Sequence, residues 1–285
     1  MQLHCADRIL CLDRPVVMGV LNVTPDSFSD GGRYVQPQAA FAAAERMASE
    51  GAAIIDIGGE STRPGAAPVG TEEQLRRVLP VLERVVARLP VLVCVDSSDP
   101  EVMRRAAASG AHMINDVRAL RTPGALEALA ASRMAVCLMH MRGEPATMQQ
   151  DPQYADVVIE VRDFLAERLR VCESAGLGRE RLCVDPGFGF GKLLRHNLQL
   201  LRGLEALTAL GVPLLAGLSR KSMTASLAAD PDVAGREPQA RLAASLALAT
   251  IAVLNGALII RAHDVAQTLD AVSVASALRA GAGSQ

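Results

Sequence analysis

The chain has 285 residues, 29 Lys and Arg against 31 Asp and Glu, and a formal net charge of −2. Half of it is hydrophobic and 2% is aromatic, without a Trp. That composition excludes a disordered chain, and the balanced charge and scarcity of rings argue against a nucleic-acid binder. Among the basic residues 27 are Arg, and the only lysines are Lys192 and Lys221.

The six Cys (5, 11, 94, 137, 172 and 183) form no C-x-x-C pair, and three lie inside apolar runs. They read as core thiols of a reducing compartment. The first fifteen residues carry charges and lack an apolar stretch of signal-peptide type, so a cytoplasmic protein is expected. Residues 242–260 carry no charge, nearly enough to span a bilayer. Asn255-Gly256 reads instead as a helix C-cap inside that run, followed by a short buried strand, so no membrane partner is expected.

In chain order, a segment over Leu3–Leu12 reads as a hairpin closing the bottom of the fold. Eight short apolar runs follow as strands: Val16–Leu21, Ala53–Ile57, Val91–Val95, His112–Ile114, Ala135–Leu138, Leu182–Val184, Leu214–Ala216 and Leu258–Ile260. Most are apolar throughout, as parallel strands buried on both faces are. Helical segments alternate with them: Gln38–Glu50, Thr71–Arg88, Pro100–Ser109, Gly124–Ala131, Ala155–Ala175, Leu194–Leu207, Gln239–Leu254 and Val265–Arg279. Thr71 reads as the N-cap of the second, and Asp99 caps the third with Pro at the first helical position. Repeated strand–helix units without a linker predict a single (β/α)8 TIM barrel domain over residues 1–285, with a short N-terminal hairpin.

In such a barrel the active site lies where the strands end. The residues after the eight runs include Asn22, the stretch Gly58–Arg63, Asp96, Asn115-Asp116, Met139-His140-Met141, Asp185, Ser219-Arg220-Lys221, and Arg261 with His263. One polar residue there is an ordinary cap; eight on one rim form a site. Arg63, Arg220, Arg261 and His263 suit an anion, because guanidinium groups bond phosphate oxygens in pairs. Asp96, Asn115, Asp185 and Lys221 suit the edge of a flat heterocycle of pterin or purine type. The string from Asp185 to Lys192 holds a G-x-G-x-G pattern without Walker spacing, so alone it fits a flexible βα loop as well as a part of the site.

Met18–Gly32 and Asp56–Gly65 resemble the first two signatures of dihydropteroate synthases. Val95-Asp96, Asn115-Asp116-Val117, Leu138–Met141, Asp185–Lys192, Ser219–Ser222 and Arg261–Asp264 continue in that family's order. The resemblance implies a transferase joining p-aminobenzoate to 6-hydroxymethyl-7,8-dihydropterin diphosphate, with Mg2+ and release of pyrophosphate. It implies that Asp96, Asn115, Asp185 and Lys221 bind the pterin, with Met139 packed near its ring and Arg261 stacked on it. Asn22, Ser61, Arg63, Arg261 and His263 would hold the diphosphate, and Asn22 and Asp30 the metal. Phe28, Thr62, Pro64, Phe190, Ser219 and Lys221 would line the aminobenzoate slot. The catalytic set would be Asp96, Asp185, Lys221, Arg63 and Asp30. The resemblance also implies a homodimer through the late helices, and the unaltered Ser-Thr-Arg-Pro-Gly run implies a sulfonamide target. Two departures, Ala262 and Thr224-Ala225, touch no expected polar contact. Three other readings stay open: the pterin domain of a corrinoid-linked methyltransferase, a silent binding paralogue, and a Schiff-base aldolase using Lys192 or Lys221.

Overall fold

The computed structural model describes residues 1–24, 35–60, 69–144, 147–227 and 241–281. A hairpin of β1 (Gln2–Cys5) and β2 (Arg8–Cys11) precedes eight parallel strands. These are β3 (Val16–Asn22), β4 (Ile54–Gly58), β5 (Leu92–Asp96), β6 (Met113–Asp116), β7 (Ala135–Met139), β8 (Leu182–Asp185), β9 (Leu215–Gly217) and β10 (Ile259–Ala262). They follow the order β8-β7-β6-β5-β4-β3-β10-β9. A parallel bridge between Val184 and Leu214 brings β8 back towards β9, so the barrel is nearly closed.

The described helices are α1 (Val35–Ser49), α2 (Thr71–Arg88), α3 (Pro100–Ala108), α4 (Ala125–Ala130), α5 (Val157–Ser174), α6 (Leu194–Arg202), α7 (Ser222–Ser226), α8 (Leu242–Leu254) and α9 (Val265–Gly281). None of them is long and apolar enough to cross a membrane.

Side-chain alternation explains why whole strands are apolar. On β5, Val93 and Val95 face the helical layer, where Val78, Leu82 and Val85 of α2 and Val102 and Met103 of α3 bury them. Leu92 and Cys94 face inward and join Met18, Ile54, Met113, Cys137, Cys183, Leu215 and Ile259 in a second core. Leu3, Cys5 and Leu10 of the hairpin complete that inner core, which is how the hairpin plugs the barrel bottom.

The structure corrects several boundaries. Each of the eight strands runs one or two residues past its apolar run, so Asn22, Asp96, Asn115, Met139, Asp185 and Arg261 lie inside strands rather than after them. An apolarity criterion stops at the first polar side chain, whereas the backbone ladder continues beneath it. Gly70, not Thr71, precedes the first turn of α2, and the Thr71 hydroxyl donates to Asp99 Oδ2 at 2.5 Å. Leu194–Leu207 is not one helix: α6 ends at Arg202, and a 3-10 segment over Leu204–Leu210 follows Gly203. The short helix α7 was not expected. All six Cys are free, five are buried, and Cys11 is exposed rather than in the core because it points away from the barrel at the end of β2.

Candidate active site

The upper inward positions of the barrel change from apolar to ionisable. Asp96 stands beside Asn115 in the ladder of β5 and β6, and Met139 beside Asp185 in that of β7 and β8. Lys221 arrives from the N-cap of α7, and Arg261 from β10. These are the residues that the pattern of polar strand ends pointed to, and the barrel brings them together. Asp56, one inward position below the end of β4, belongs with them. In the sequence it stands out only as part of the Asp56–Gly65 run, because a mid-strand Asp has no local signal beyond breaking an apolar run.

The charges are tightly coupled. Arg261 Nε donates to Asp56 Oδ2 at 2.6 Å and its Nη2 donates to Asp96 Oδ2 at 2.8 Å. Burial alone would lower the Arg261 pKa, but the Asp56 and Asp96 charges outweigh it and hold it above the ordinary arginine value. Burial, reinforced by the Asp56 charge, pushes the Asp96 carboxyl up to about 7 against the pull of Arg261. Burial also raises Asp185, opposed by Lys221 and by the Gly187 N–H, which donates to Asp185 Oδ1 at 2.7 Å. Burial lowers Lys221 to about 8, opposed by Asp185 and Asp96. Asn115 is buried and its Oδ1 has no hydrogen-bond partner.

The glycine string after β8 is held at several points by its φ values, close backbone approaches and hydrogen bonds. Gly187, Gly189 and Gly191 have φ of +67°, +80° and +64°. A Cβ at Gly187 would collide with the His140 carbonyl, and one at Gly191 with that of Arg142. Lys192 Nζ donates to the carbonyls of Gly187 at 2.9 Å and Phe190 at 3.1 Å, and lies 2.9 Å from His140 Nδ1. The Tyr154 hydroxyl donates to the Gly191 carbonyl at 2.9 Å, and Asn197 Oδ1 accepts from Gly189 N at 2.8 Å. Lys221 Nζ donates to the Phe188 carbonyl and stands 4.7 Å from the centre of the Phe190 ring. Phe190 in turn packs on a small cluster of Val117, Met139, Met141 and Met148.

The other expected site residues divide. Asn22 ends β3 beside Gly58. Ser219 Oγ lies 3.0 Å from His263 Nδ1 and accepts from the His263 backbone N–H at 3.3 Å, which ties an expected aminobenzoate contact to an expected diphosphate contact. Arg220 does not join the anion group: its Nε donates to Asp264 Oδ2 at 3.0 Å, so Asp264 neutralises it locally. Phe28, Asp30, Ser61, Thr62, Arg63 and Pro64 lie outside the described residues. The stems beside residues 61–68 are held by Glu60, which accepts from Val69 N at 3.1 Å and Gln74 Nε2 at 3.3 Å. An open cleft of about 530 Å3 next to these stems, lined by Glu60, Gln74, Asp99 and Arg118, contains none of the six expected pterin contacts.

The sequence pattern of the family described as pterin binding enzyme matches residues 18–263. The dihydropteroate synthase of Escherichia coli K12 is 51% identical over 277 residues, 97% of this chain and 96% of that one. Among solved structures, Xanthomonas albilineans dihydropteroate synthase with 4-aminobenzoic acid superposes with a TM-score of 0.91 at 54% identity, covering 98% of each chain. The same organism's enzyme in complex with 7,8-dihydropteroate gives 0.85 at 49% identity, again over 98% of each. The hairpin-plugged barrel and the ionisable upper rim are therefore those of a transferase: this chain belongs to the dihydropteroate synthases within the pterin-binding enzymes.

Proposed function

We propose that the protein condenses p-aminobenzoate with 6-hydroxymethyl-7,8-dihydropterin diphosphate, giving 7,8-dihydropteroate and pyrophosphate. The observation that carries this reading is the meeting of Asp96, Asn115, Asp185 and Lys221 at one buried end of the barrel. Two carboxylates, an amide and an ammonium match the donors and acceptors of a pterin edge, and a purely apolar pocket would not hold it.

The chemistry follows from the charges. Asp96 and Asp185 accept from the pterin, and their negative charge favours the cation-like methylene that forms as its bond to the diphosphate oxygen breaks. Lys221 donates to the pterin and keeps Phe190 in place at the neighbouring slot, where the amine of aminobenzoate attacks that methylene. Arg261 and His263 hold the departing diphosphate. Ser219, bonded to His263, joins the two halves of the site. Arg63 and Ser61 would add to the diphosphate contacts, and Phe28, Thr62 and Pro64 to the slot. No covalent enzyme intermediate is required.

The donors present suit Mg2+ carried in on the diphosphate. Asn22 offers a neutral oxygen at the end of β3, Asp30 would add a carboxylate, and no group of three or more His, Cys, Asp or Glu among the described residues forms a metal cage. Mg2+ keeps waters and commonly uses one or two side chains plus substrate phosphates. When bound it supplies charge neutralisation to the leaving diphosphate.

The deciding experiment is pyrophosphate release by the purified protein. Release that requires both substrates supports the reading, and release from the diphosphate alone rejects it. Aminobenzoate is expected to bind only after the pterin diphosphate or pyrophosphate; tight titration without either would reject that order. A sulfonamide is expected to compete with aminobenzoate, and failure to compete would remove the protein from the sulfonamide targets.

A further inference from the structure

Asp56 is fully buried, 205 residues before its partner Arg261 in sequence. One guanidinium bridges two carboxylates by different edges: Nε to Asp56 and Nη2 to Asp96. Asp56 pairs in register with Cys94, whereas Asp96 pairs in register with Asn115 at the next inward position up. Asp56 thus lies beneath the rim, and Asp96 at it. The second Asp56 oxygen, Oδ1, is buried without a nitrogen or oxygen partner. The Cys94 thiol is the remaining side-chain hydrogen-bond partner of Asp56, a weak donor, and a fully buried carboxylate so served is expensive to keep. Nothing in the neighbouring apolar core requires a charge there.

We propose that Asp56 is a positioning residue that anchors Arg261 from below, so that Asp96 exchanges its Arg261 contact for a pterin N–H without Arg261 leaving the site. The inference rests on the proposed function and deepens it. A pterin N–H donating to Asp96 would meet a carboxylate whose Oδ2 Arg261 already engages. A charge-assisted bond from arginine is the stronger competitor when Asp96 is its sole anchor. A second carboxylate gripping the Nε edge changes this balance. It retains the guanidinium and fixes its plane, the condition for stacking on a flat ring, while its position below the rim keeps it from competing for substrate donors.

The test is a double-mutant cycle of Asp56→Asn and Arg261→Gln on the full chain, with KM and kcat measured for both substrates and thermal unfolding recorded for each variant. Asp56→Asn is isosteric and is expected to raise KM for the pterin diphosphate about tenfold or more, with KM for aminobenzoate moving less than twofold. In the Arg261→Gln background the same substitution is expected to add less than twofold, because its target is gone. An unchanged pterin KM, equal fold-effects in both backgrounds, or parallel rises in both KM values that follow a loss of thermal stability would each overturn the proposal. Should Asp56→Asn not fold, Asp56→Glu keeps the charge and displaces it by one methylene; an unaltered pterin KM there overturns the proposal equally. Wild-type turnover separates the two levels. An inactive wild type rejects the proposed function and this inference with it, whereas an active wild type with an indifferent Asp56→Asn rejects this inference alone.

Discussion

Lys192 and His140 meet at 2.9 Å between Nζ and Nδ1, both almost wholly shielded from solvent. Burial, with the Lys192 and Arg142 charges adding to it, lowers the His140 pKa to about 2, and burial lowers that of Lys192 well below the ordinary lysine value. The pair fastens the end of β7 to the glycine loop after β8, and through that loop sets the position of Phe190.

Lys192→Met is therefore expected to destabilise the protein. It removes the Phe190 carbonyl's Lys192 donor, whereas the Gly187 carbonyl keeps the Phe190 N–H, and an unmet group costs about 1–3 kcal/mol. A loss of about 1–3 kcal/mol in denaturant unfolding is expected, together with a raised KM for aminobenzoate. Unchanged stability would show that the loop holds itself.

The pH dependence of stability follows from His140. Its folded pKa lies below its unfolded one, so the unfolded chain binds more protons between the two values. The His140 contribution to stability is full above the unfolded value near 6.5 and is lost as pH drops towards 2. The slope from this residue is about 1.4 kcal/mol per pH unit. The raised Asp96 carboxyl acts in the opposite sense over the same range, so the comparison decides: from pH 7 to pH 5 the wild-type unfolding midpoint should fall relative to that of His140→Gln. An equally steep wild-type and variant profile would assign acid sensitivity elsewhere.

Lys221→Arg tests the second lysine. The ammonium donates to the Phe188 carbonyl within a crowded angle between Asp185 and Phe190. A planar fork retains the charge but cannot place one donor there. Loss of one charge-assisted hydrogen bond, about 1.5–3 kcal/mol, corresponds to a roughly tenfold to hundredfold fall in kcat/KM. Near-normal kcat/KM would remove Lys221 from the pterin contacts.

The rate should also depend on pH in a narrow bell. Asp96 must be ionised to accept from the pterin, so kcat/KM falls as pH drops through about 7. Lys221 must be protonated to donate, so it falls again as pH rises through about 8. Both limbs belong to the free enzyme and appear in kcat/KM. A profile flat from pH 6 to pH 9 would contradict these assignments.

We propose the late helices as the contact of the expected dimer. Ile251 and Leu254 of α8 and Val274 and Leu278 of α9 are exposed, and α8 and α9 pack side by side. Val274→Glu with Leu278→Glu should convert a dimer to a monomer in sedimentation velocity. A wild type that sediments as a monomer would reject the dimer.

The barrel itself was legible because its information is local. Val91–Val95 and its counterparts are apolar throughout, helical segments separate them, and each apolar run ends on a polar residue. These features directly encode double-sided burial, crossover and rim. The same pattern led to Asp96, Asn115, Asp185 and Arg261. Which charge meets which was not legible. Arg220 and Arg261 look alike in sequence, yet Asp264 takes the first, while Asp56 and Asp96 take the second. Lys192 and Lys221 look alike too, yet one is locked among loop carbonyls and the other faces the site. The reason is closure. Placing β10 against β3 brings residues 205 apart to 2.6 Å, and a local run of amino acids carries hydrophobic period and capping preference but not the partner across the barrel.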